Sequence, residues 1–360
     1  MKHEMHRREF ITGASLAVLG AMTAPAWAVG TEQRSRLRVA QIGTAHSHAP
    51  GKWEALQRRR DLFDLVGVWE PDAALQAHRQ KEATYRGARW LSEAELFDTK
   101  LDAVLIETEL PDLLSMAHRA LEADWHVHID KPPGADMNAF TALQTLAERR
   151  RRVLQMGYMW RYHPAFQYCF DLLRQGTLGN VFAIHGDLGK YMPADRRAWI
   201  GEVYSGSMMS LGSHVLDIAV AILGKPEHVT AVRRRTYPKR DRFFDNELAV
   251  LEYPDAVATI RSMLTEVAGE ERRQFAVFGD KGSFEILPIE PARARLALLH
   301  PPAGTKSGYH QVDLPPVAHR YDGMLEDFVG MVHGEPTRVP QYTPAHDRTV
   351  QEIALKFHTV

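Results

Sequence analysis

A short apolar segment that ends in two prolines constrains this chain more than any other feature. Residues 126–129 alternate and are rich in β-branched and aromatic-ring side chains, which is typical of a buried strand. Asp130 and Lys131 follow, and Pro132-Pro133 prevents the strand from continuing. Because ligands of open α/β sheets collect at the carboxyl ends of strands, Lys131 is placed to contact a bound ligand. The alternative is a surface lysine in a turn.

Strand and helix patterns alternate on both sides of this segment. The predicted strands are residues 37–43, 65–70, 101–108, 126–129 and 153–157. The predicted helices are residues 52–60, 113–124 and 135–152. This alternation predicts an α/β domain of the Rossmann type, with a doubly wound parallel sheet.

Beyond residue 180 the pattern becomes rich in strands. They are predicted at 181–188, 229–235, 248–253, 257–263, 274–278 and 283–287, and helices at 321–332 and 344–357 close the chain. Short loops join several of these strands, so we expect a large, mainly antiparallel sheet in an α+β C-terminal domain. A length of 360 residues suits such a division into two domains.

The N-terminus has the features of an export signal. Arg7-Arg8 precedes an apolar run at residues 11–24, and Ala26-Trp27-Ala28 fits a cleavage site. The run is shorter than the roughly 20 residues that span a bilayer. We therefore expect a twin-arginine signal over residues 1–28 and a periplasmic mature protein, with an uncleaved anchor as the alternative.

Composition excludes several classes of partner. The net charge of −1 gives no electrostatic reason to expect binding to nucleic acid, or to a membrane once the signal is cleaved. Cys169 is the single cysteine, which rules out a disulfide within the chain. Its predicted role is helix packing.

The turn after the first strand predicts a dinucleotide site. Gly43 begins a degraded glycine fingerprint, in which Ala45 takes the place of the second glycine and His48 that of the third, and Thr44 and His46 belong to the same turn. We expect these residues to pack against the phosphates or nicotinamide of a cofactor. No Asp, Glu or Cys lies nearby in sequence to complete a metal site, and no metal is predicted. An α/β domain without a dinucleotide is the alternative.

Glu70 ends the second strand, where an acidic residue binds the adenosine ribose of a dinucleotide. Its carboxylate repels a 2′-phosphate, and no arginine stands beside it in sequence. The expected cofactor is therefore NAD, with NADP less favoured. The alternative for Glu70 is a solvated strand end.

The strand at residues 101–108, the helix at 113–124 and the following His126-Val127 and Asp130-Lys131-Pro132 together resemble the glucose–fructose oxidoreductase, inositol dehydrogenase and MocA (Gfo/Idh/MocA) family. The resemblance extends from about residue 37 to the C-terminus. It implies a two-domain enzyme that uses NAD(P) and acts on sugars or polyols. The expected domains are residues 29–157 for the cofactor, and 158–360 for substrate binding and oligomerisation.

The same resemblance implies roles for particular residues. Thr108, Asp130 and Lys131 correspond to residues that approach the cofactor, and Lys131 is also expected to polarise the reacting oxygen. Arg161 and Tyr162 lie in the crossover segment and are expected to bind substrate, with packing between domains as the alternative.

Residues 206–217 resemble the family's glycine-rich turn and its Asp-x-Gly-x-His-x-x-Asp motif. His214 is the expected general base, since its ordinary pKa near 6.5 suits proton transfer, with a satisfied buried histidine as the alternative. Asp217 is expected to orient the imidazole or the helix start, and Ser210 replaces the motif's first aspartate. Both are assigned to substrate binding.

These observations lead to three functional hypotheses. The first is an exported oxidoreductase that transfers hydride between a sugar or polyol and a tightly bound NAD. The second is an NAD-dependent glycoside hydrolase or lyase that acts by transient oxidation and elimination. The third is a sugar-binding protein without catalysis, which the degraded fingerprint and Ser210 favour. A homo-oligomer through the C-terminal sheet is expected from the resemblance.

Overall fold

The structure is a computed structural model that describes residues 35–304, 306–317 and 319–358. The predicted signal at residues 1–28 lies outside the described part of the chain. In the described ranges, none of the helices combines the length and apolar character needed to cross a membrane.

The N-terminal sheet contains five parallel strands in the order β2-β1-β3-β4-β5. Its strands are β1 Leu37–Ile42, β2 Phe63–Trp69, β3 Ala103–Ile106, β4 His126–Ile129 and β5 Leu154–Met156. Its helices are α1 Ala49–Arg58, α2 Ala73–Arg79, α3 Glu93–Asp98, α4 Leu110–Glu122 and α5 Met137–Arg150. The strand order reverses between β1 and β3, which opens a crevice at their carboxyl ends.

Burial explains why these strands read as continuous apolar runs. All four residues of β3 are buried, as are the last four of β1. A parallel sheet covered by helices on both faces requires this pattern. Local capping sets the helix starts: Asp136 accepts from Ala139 N at 2.9 Å at the start of α5, and Ser92 and Glu95 form a capping box on α3.

The second sheet contains eight strands in the order β13-β12-β11-β10-β6-β9-β8-β7. Its strands are β6 Val181–Gly189, β7 His228–Arg234, β8 Asn246–Glu252, β9 Val257–Met263, β10 Gln274–Gly279, β11 Gly282–Ile286, β12 Ala294–Leu298 and β13 His310–Val312. Helices α6 Pro164–Arg174, α7 Ala194–Tyr204 and α8 Ser213–Leu223 precede β7. All its neighbours are antiparallel except β6 and β9, which are parallel.

Helix α8 packs closely on one face of this sheet. A Cβ atom on Gly186 of β6 would lie 2.5 Å from Val215 Cγ1, so a side chain there would push α8 away. The opposite face is open to solvent: Val257 of β9 is 41% exposed, whereas the next residue, Ala258, which points toward α8, is buried.

The chain ends in helices α9 Asp322–Val332 and α10 Pro344–Ala354, which return to the first sheet. Arg58 of α1 donates to Asp322 Oδ1 at 3.1 Å, and Gln144 of α5 donates to the Pro344 carbonyl at 3.2 Å. These contacts attach the two C-terminal helices to helices α1 and α5 of the first sheet.

The predicted fold class is confirmed, with differences in detail. The strands of both sheets lie where they were expected, but β12 and β13 were not predicted. Strands joined by short loops pair antiparallel as expected, whereas β6 and β9 are parallel, because the long connection between them carries α7, α8 and a hairpin. The division into residues 29–157 and 158–360 remains a prediction.

Candidate active site

A cavity of about 280 Å³ lies at the carboxyl edge of the first sheet, facing the second. Its walls include five residues that the sequence singled out: His46, His48, Lys131, Ser210 and His214. They come from the turn after β1, the end of β4 and the start of α8. Residues more than 160 positions apart in the sequence therefore meet in one cleft.

Lys131 reaches across this cleft. It is 5% exposed, and its Nζ donates to the backbone carbonyl of Ser210 at 2.5 Å. Ser210 belongs to a π-helical turn, Met208–Gly212, a distortion that often accompanies functional sites. Burial lowers the pKa of Lys131 to about 8, although Asp130 opposes this. The contact with Ser210 is made by its main chain, so the serine hydroxyl is not what Lys131 recognises.

Asp130 organises the polar groups behind Lys131. Its Oδ1 accepts from the Lys131 backbone N–H at 2.6 Å. Its Oδ2 lies 2.9 Å from His48 Nδ1, 2.7 Å from Lys52 Nζ and 3.2 Å from His46 Nδ1. Asp130 is 1% exposed, so these contacts replace its hydration.

The two histidines of the turn differ in their protonation. Burial lowers the pKa of His46, but Asp130 and Glu107 outweigh it and raise that pKa to about 9. Burial dominates at His48 and lowers its pKa to about 4, despite the attraction of Asp130. At neutral pH His46 is a cation, and His48 is a neutral imidazole held through one nitrogen.

Lys52 is the fully buried cation of this cluster. It extends from α1, and its Nζ lies 2.6 Å from Glu107 Oε1 and 2.7 Å from His128 Nε2. Burial lowers its pKa, yet Asp130 and Glu107 outweigh this and raise it. Burial also raises the pKa of Glu107, against the opposing effect of Lys52. The ammonium thus supplies the positive charge that these carboxylates require.

His46, His48 and Asp130 also have the ligand types of a metal site, with their ligand atoms within 4.8 Å of one another. The sequence offered no carboxylate partner for these histidines, and the fold supplies Asp130. However, Lys52 Nζ lies 2.7 Å from the Asp130 oxygen that would bind the ion. The ammonium takes the place of the cation, so the arrangement is explained as an ion-pair network.

His214 lies in the first turn of α8 and is 4% exposed. Its Nδ1 has no hydrogen-bond partner among the described residues. Its ring packs beside Trp160, with centroids 5.0 Å apart, and lies 6.4 Å from the ring of His48. Burial, with Lys131 and His48, lowers the pKa of His214 well below its ordinary value. It is therefore a neutral imidazole without an orienting carboxylate.

Arg161 and Asp217 do not lie where the sequence analysis expected. Arg161 donates to both Asp217 oxygens, at 3.0 and 2.6 Å, and to Asp347 Oδ1 at 2.5 Å. His346 Nε2 lies 2.9 Å from Asp217 Oδ1. This buried ion-pair network occupies both side chains, and neither lines the cleft with Lys131. The expectations that Arg161 binds substrate and that Asp217 orients His214 are contradicted by this geometry.

Tyr162 is also engaged away from the cleft. Its hydroxyl donates to Asp327 Oδ2 at 2.9 Å and accepts from Gln155 Nε2 at 3.1 Å. Gln155 Oε1 in turn lies 2.9 Å from Nδ1 of His128, which contacts Lys52. The geometry contradicts a direct substrate contact and makes Tyr162 the link between α9 and the buried cluster.

The turn after β1 has the features of a phosphate-binding turn. Gly43 adopts a φ of +79°, a left-handed conformation that favours glycine. The backbone N–H groups of Ala45 and Ser47 have no hydrogen-bond partner in the described ranges. Beside them, the buried Thr108 Oγ1 is also without a partner in that part of the chain. These unpaired donors at the β1–β3 crevice fit the polar groups of a dinucleotide.

Glu70 contacts this turn from within the protein. Its Oε2 accepts from Thr44 N and Thr44 Oγ1, both at 2.6 Å, and its Oε1 accepts from Asp72 N at 3.0 Å. Arg79 of α2 donates to the Thr44 carbonyl at 2.8 Å. The fold thus brings an arginine to the turn that Glu70 holds, although none stands beside it in sequence. A guanidinium beside this turn attracts a 2′-phosphate, which opposes the repulsion by Glu70.

Sequence reasoning missed two members of the site, Lys52 and Glu107. Lys52 was predicted only as the first residue of a helix, because a helical pattern does not reveal partners that are distant in sequence. The position of Glu107 could have indicated a buried cation, since an acidic residue near the end of a buried strand requires a partner.

Comparison with known proteins gives a consistent family. A family described as "Oxidoreductase family, NAD-binding Rossmann fold" matches residues 37–158. The "GFO/IDH/MocA C-terminal domain" matches residues 166–285. Together the two matches cover most of the chain.

Individual relatives are more distant. The uncharacterized oxidoreductase YdgJ of Escherichia coli is 29% identical over 201 residues, covering 55% of this chain and 57% of that protein. The trans-1,2-dihydrobenzene-1,2-diol dehydrogenase of Bos taurus is 29% identical over 194 residues, covering 53% and 56%. The chain thus aligns with little more than half the length of these relatives.

A solved structure extends the likeness of fold over nearly the whole chain. The UDP-N-acetylglucosamine 3-dehydrogenase of Acidithiobacillus ferrooxidans superposes with a TM-score of 0.73 at 22% identity, covering 89% of this chain and 96% of that one. With both sheets, the crevice and both family matches in agreement, this chain belongs to the Gfo/Idh/MocA family of oxidoreductases with an NAD-binding Rossmann fold.

Proposed function

We propose that this protein is an NAD(P)-dependent oxidoreductase that transfers hydride between a CH–OH group of a sugar-like molecule and nicotinamide. The observation that carries the proposal is the meeting of Lys131, His48 and His214 in one cavity beside the turn at Gly43. The names of the relatives support a CH–OH substrate, since they include a diol dehydrogenase and a nucleotide-sugar dehydrogenase.

Lys131 has the position and charge to act on the reacting oxygen. Its ammonium points into the cavity toward the Ser210 carbonyl, and a substrate hydroxyl entering there would share its protons. A fixed cation in a water-poor cleft stabilises the negative charge that develops on that oxygen. When bound, the nicotinamide accepts the hydride from the carbon, and the hydroxyl proton must leave to a base in the cleft.

Two imidazoles are available for that proton. The family motif assigns this role to His214, and His214 remains a proposed catalytic residue. The geometry favours His48, because Asp130 holds its Nδ1 at 2.9 Å and leaves Nε2 as the free nitrogen. An oriented base normally has such a third group, and His214 lacks one among the described residues.

For the cofactor we propose NAD in preference to NADP, held tightly. The carboxylate of Glu70 beside Thr44 supports this choice, because it disfavours a second negative charge near the turn. Arg79 is the opposing feature, and the affinities of the two nucleotides decide between them.

The second candidate is a redox-neutral hydrolase or lyase, in which a transient oxidation activates an elimination and the cofactor is regenerated. The export pattern at Arg7-Arg8 favours it, since free dinucleotide is scarce outside the cytoplasm. Export itself is a proposal. N-terminal sequencing of periplasmic protein should begin near Val29, and an intact chain confined to the cytoplasm would refute it.

We also propose that two copies associate through the open face of the second sheet. Val257 is 41% exposed there, so an apolar side chain is available for contact with a second copy. Sedimentation should show an oligomer for the native protein, and Val257→Asp should dissociate it. A native monomer would refute this association.

The proposed function has a direct test. Purified protein is denatured and any released nucleotide is identified. The nucleotide-loaded protein is then mixed with a panel of sugars and polyols, without added cofactor. Reduction of the bound nicotinamide supports the oxidoreductase, whereas turnover to cleaved products without net reduction supports the second candidate. A protein that neither contains nor binds a dinucleotide would contradict both.

A further inference from the structure

The cavity at Lys131 carries an excess of positive charge. In addition to Lys131 and the three histidines, its described lining contains four lysine or arginine side chains and one acidic side chain, that of Glu290. The basic ones are Lys190, Arg196, Arg273 and Arg320. They come from the end of β6, from α7, from the residue before β10 and from the approach to α9. Four separate elements thus direct cations to one cleft.

Arg273 is the most buried of the four, with 11% of its side chain exposed. Its Nε donates to the Gly189 carbonyl at 3.2 Å. The nearest acids to its two terminal nitrogens are Glu270 at 3.8 Å and Glu290 at 3.9 Å, both beyond hydrogen-bonding distance. The terminal N–H groups of this guanidinium are therefore without a hydrogen-bond acceptor in the described ranges. Burial lowers the pKa of Arg273, because the nearby acids compensate incompletely.

The other three cations also have too few acidic side chains as partners. Arg320 lies 3.1 Å from Glu290, the same carboxylate that faces Arg273. Lys190 lies 3.6 Å from Glu270. Arg196 stacks on Trp199, 3.9 Å from the ring centroid, and has no ion pair within the described chain. The carboxylates of Glu270 and Glu290 are thus shared among three cations. The fourth, Arg196, has no ion pair in the described part of the chain.

We propose that the substrate is a small sugar or hydroxy acid that carries an anionic group, a carboxylate or a phosphate, bound by Arg273 together with Arg320 and Lys190. This inference rests on the proposed function and specifies its substrate class. A guanidinium presents parallel N–H groups that match two oxygens of a carboxylate or phosphate. Binding the anion there supplies the acceptor that Arg273 lacks.

The size of the cavity restricts the substrate further. A volume of 280 Å³ equals the liquid volume of about nine water molecules at roughly 30 Å³ each. This space accommodates one monosaccharide unit, with its anionic group at the arginines and a hydroxyl at Lys131. A cleft lined by one sign of charge also concentrates ligands of the opposite charge.

The test compares three matched probes on the nucleotide-loaded protein: D-glucose, D-glucuronate and D-glucose 6-phosphate. Calorimetry measures binding, and the absorbance of reduced nicotinamide measures turnover separately. We expect at least one anionic probe to bind roughly 10- to 100-fold more tightly than glucose, as charge-assisted hydrogen bonds allow. The preference should weaken as ionic strength rises.

Substitutions locate the effect. Arg273→Leu and Arg320→Leu should each reduce the affinity for the preferred anion about tenfold or more, and should leave glucose affinity within a few-fold. Arg273→Lys keeps the charge and should retain part of the preference if the leucine variant folds poorly. Lys100→Met is the matched control, because this exposed lysine precedes β3 at the opposite edge of the sheet.

Two results would overturn the inference: glucose binding as tightly as both anions, or an anion preference that survives removal of both arginines. The outcomes that would refute the oxidoreductase differ from those that would refute the anion site. An anion that binds through Arg273 to a protein that neither contains nor binds a dinucleotide keeps the anion site and refutes the oxidoreductase. Reduction of the bound nicotinamide by neutral sugars, with no preference for anionic ones, supports the oxidoreductase and refutes the anion site.

Discussion

His48 Nδ1 lies 2.9 Å from Asp130 Oδ2, although the two residues are 82 positions apart in the chain. This contact joins the turn after β1 to the Asp-Lys-Pro segment after β4. It fixes the imidazole through Nδ1, so that Nε2 is the nitrogen available to a substrate. The same carboxylate bonds to the backbone of Lys131, so one side chain positions both the proposed base and the proposed electrophile.

The first prediction distinguishes the two imidazoles of the cleft. His48→Asn should reduce the rate of hydride transfer by roughly 10²–10⁴, which is the usual contribution of a general base. His214→Asn should cost less if His48 carries the proton. Single-turnover rates across pH check this, with nucleotide affinity measured in parallel as the control for folding.

The contrary pattern is equally informative. If His214→Asn abolishes the pH dependence of the rate and His48→Asn preserves it, the base is His214 and the contact between His48 and Asp130 is structural.

The second prediction concerns the charge of Lys131. Burial lowers the pKa of this ammonium to about 8, so its charge is present below that pH and is lost as the pH rises through it. Hydride transfer that needs the charge should therefore decline above about pH 8. Lys131→Arg should move the decline to higher pH, because a guanidinium stays protonated. A decline that remains in place in the arginine variant would assign it to another group.

The third prediction concerns the buried cation at Lys52. Lys52→Met leaves Glu107 and Asp130 facing each other without their shared ammonium. Removing one partner of a buried pair typically costs about 3–5 kcal/mol, and we expect a loss of this order in the free energy of unfolding. Urea titration at neutral pH measures it, with Lys100→Met as the exposed control. Combining Glu107→Gln with Lys52→Met should recover part of the lost free energy of unfolding.

A Lys52→Met variant within about 1 kcal/mol of the native protein would contradict this account. It would mean that the carboxylates are protonated or separately solvated, and that the ammonium does not bind the cluster together.

The fourth prediction concerns the choice of nucleotide. Native apo protein should bind NAD more tightly than NADP, and Glu70→Ala should narrow the gap by removing the carboxylate beside Thr44. Arg79→Met should weaken the binding of NADP more than that of NAD, since only NADP carries a 2′-phosphate on the adenosine ribose for the guanidinium. Titrations of NAD and NADP into the native protein and the two variants measure these differences in affinity. Equal affinities in the native protein would refute the assignment of NAD.

The sequence predicted what depends on local pattern. Both sheets followed from alternation and apolar runs, and the position of Lys131 followed from the prolines after it. The short edge strand β13, with three residues, has too little pattern to detect. The parallel pairing of β6 with β9 depends on contacts between distant segments, which no local pattern records.

Residues that match the family motifs, Lys131 and His214, line one cleft together with His48, and their roles in catalysis remain predictions. Contacts with distant segments were missed. Arg161 was expected to face substrate, but Asp217 and Asp347 reach it from helices that follow much later in the chain. An arginine beside a crossover strand looks the same in sequence whether it binds a ligand or a carboxylate of its own protein.

The central claim is that Lys131 assists hydride transfer in this cleft, and one measurement tests it most directly. Protein loaded with oxidised nucleotide is mixed with the sugar, polyol or sugar acid that the native protein oxidises fastest. The first-order appearance of reduced nicotinamide is then followed in a single turnover. Lys131→Met should lower that rate constant by about 10²–10³, the usual cost of losing one electrostatic contact to the transition state, with nucleotide affinity unchanged within a few-fold. A rate constant within a few-fold of the native value would remove Lys131 from the mechanism.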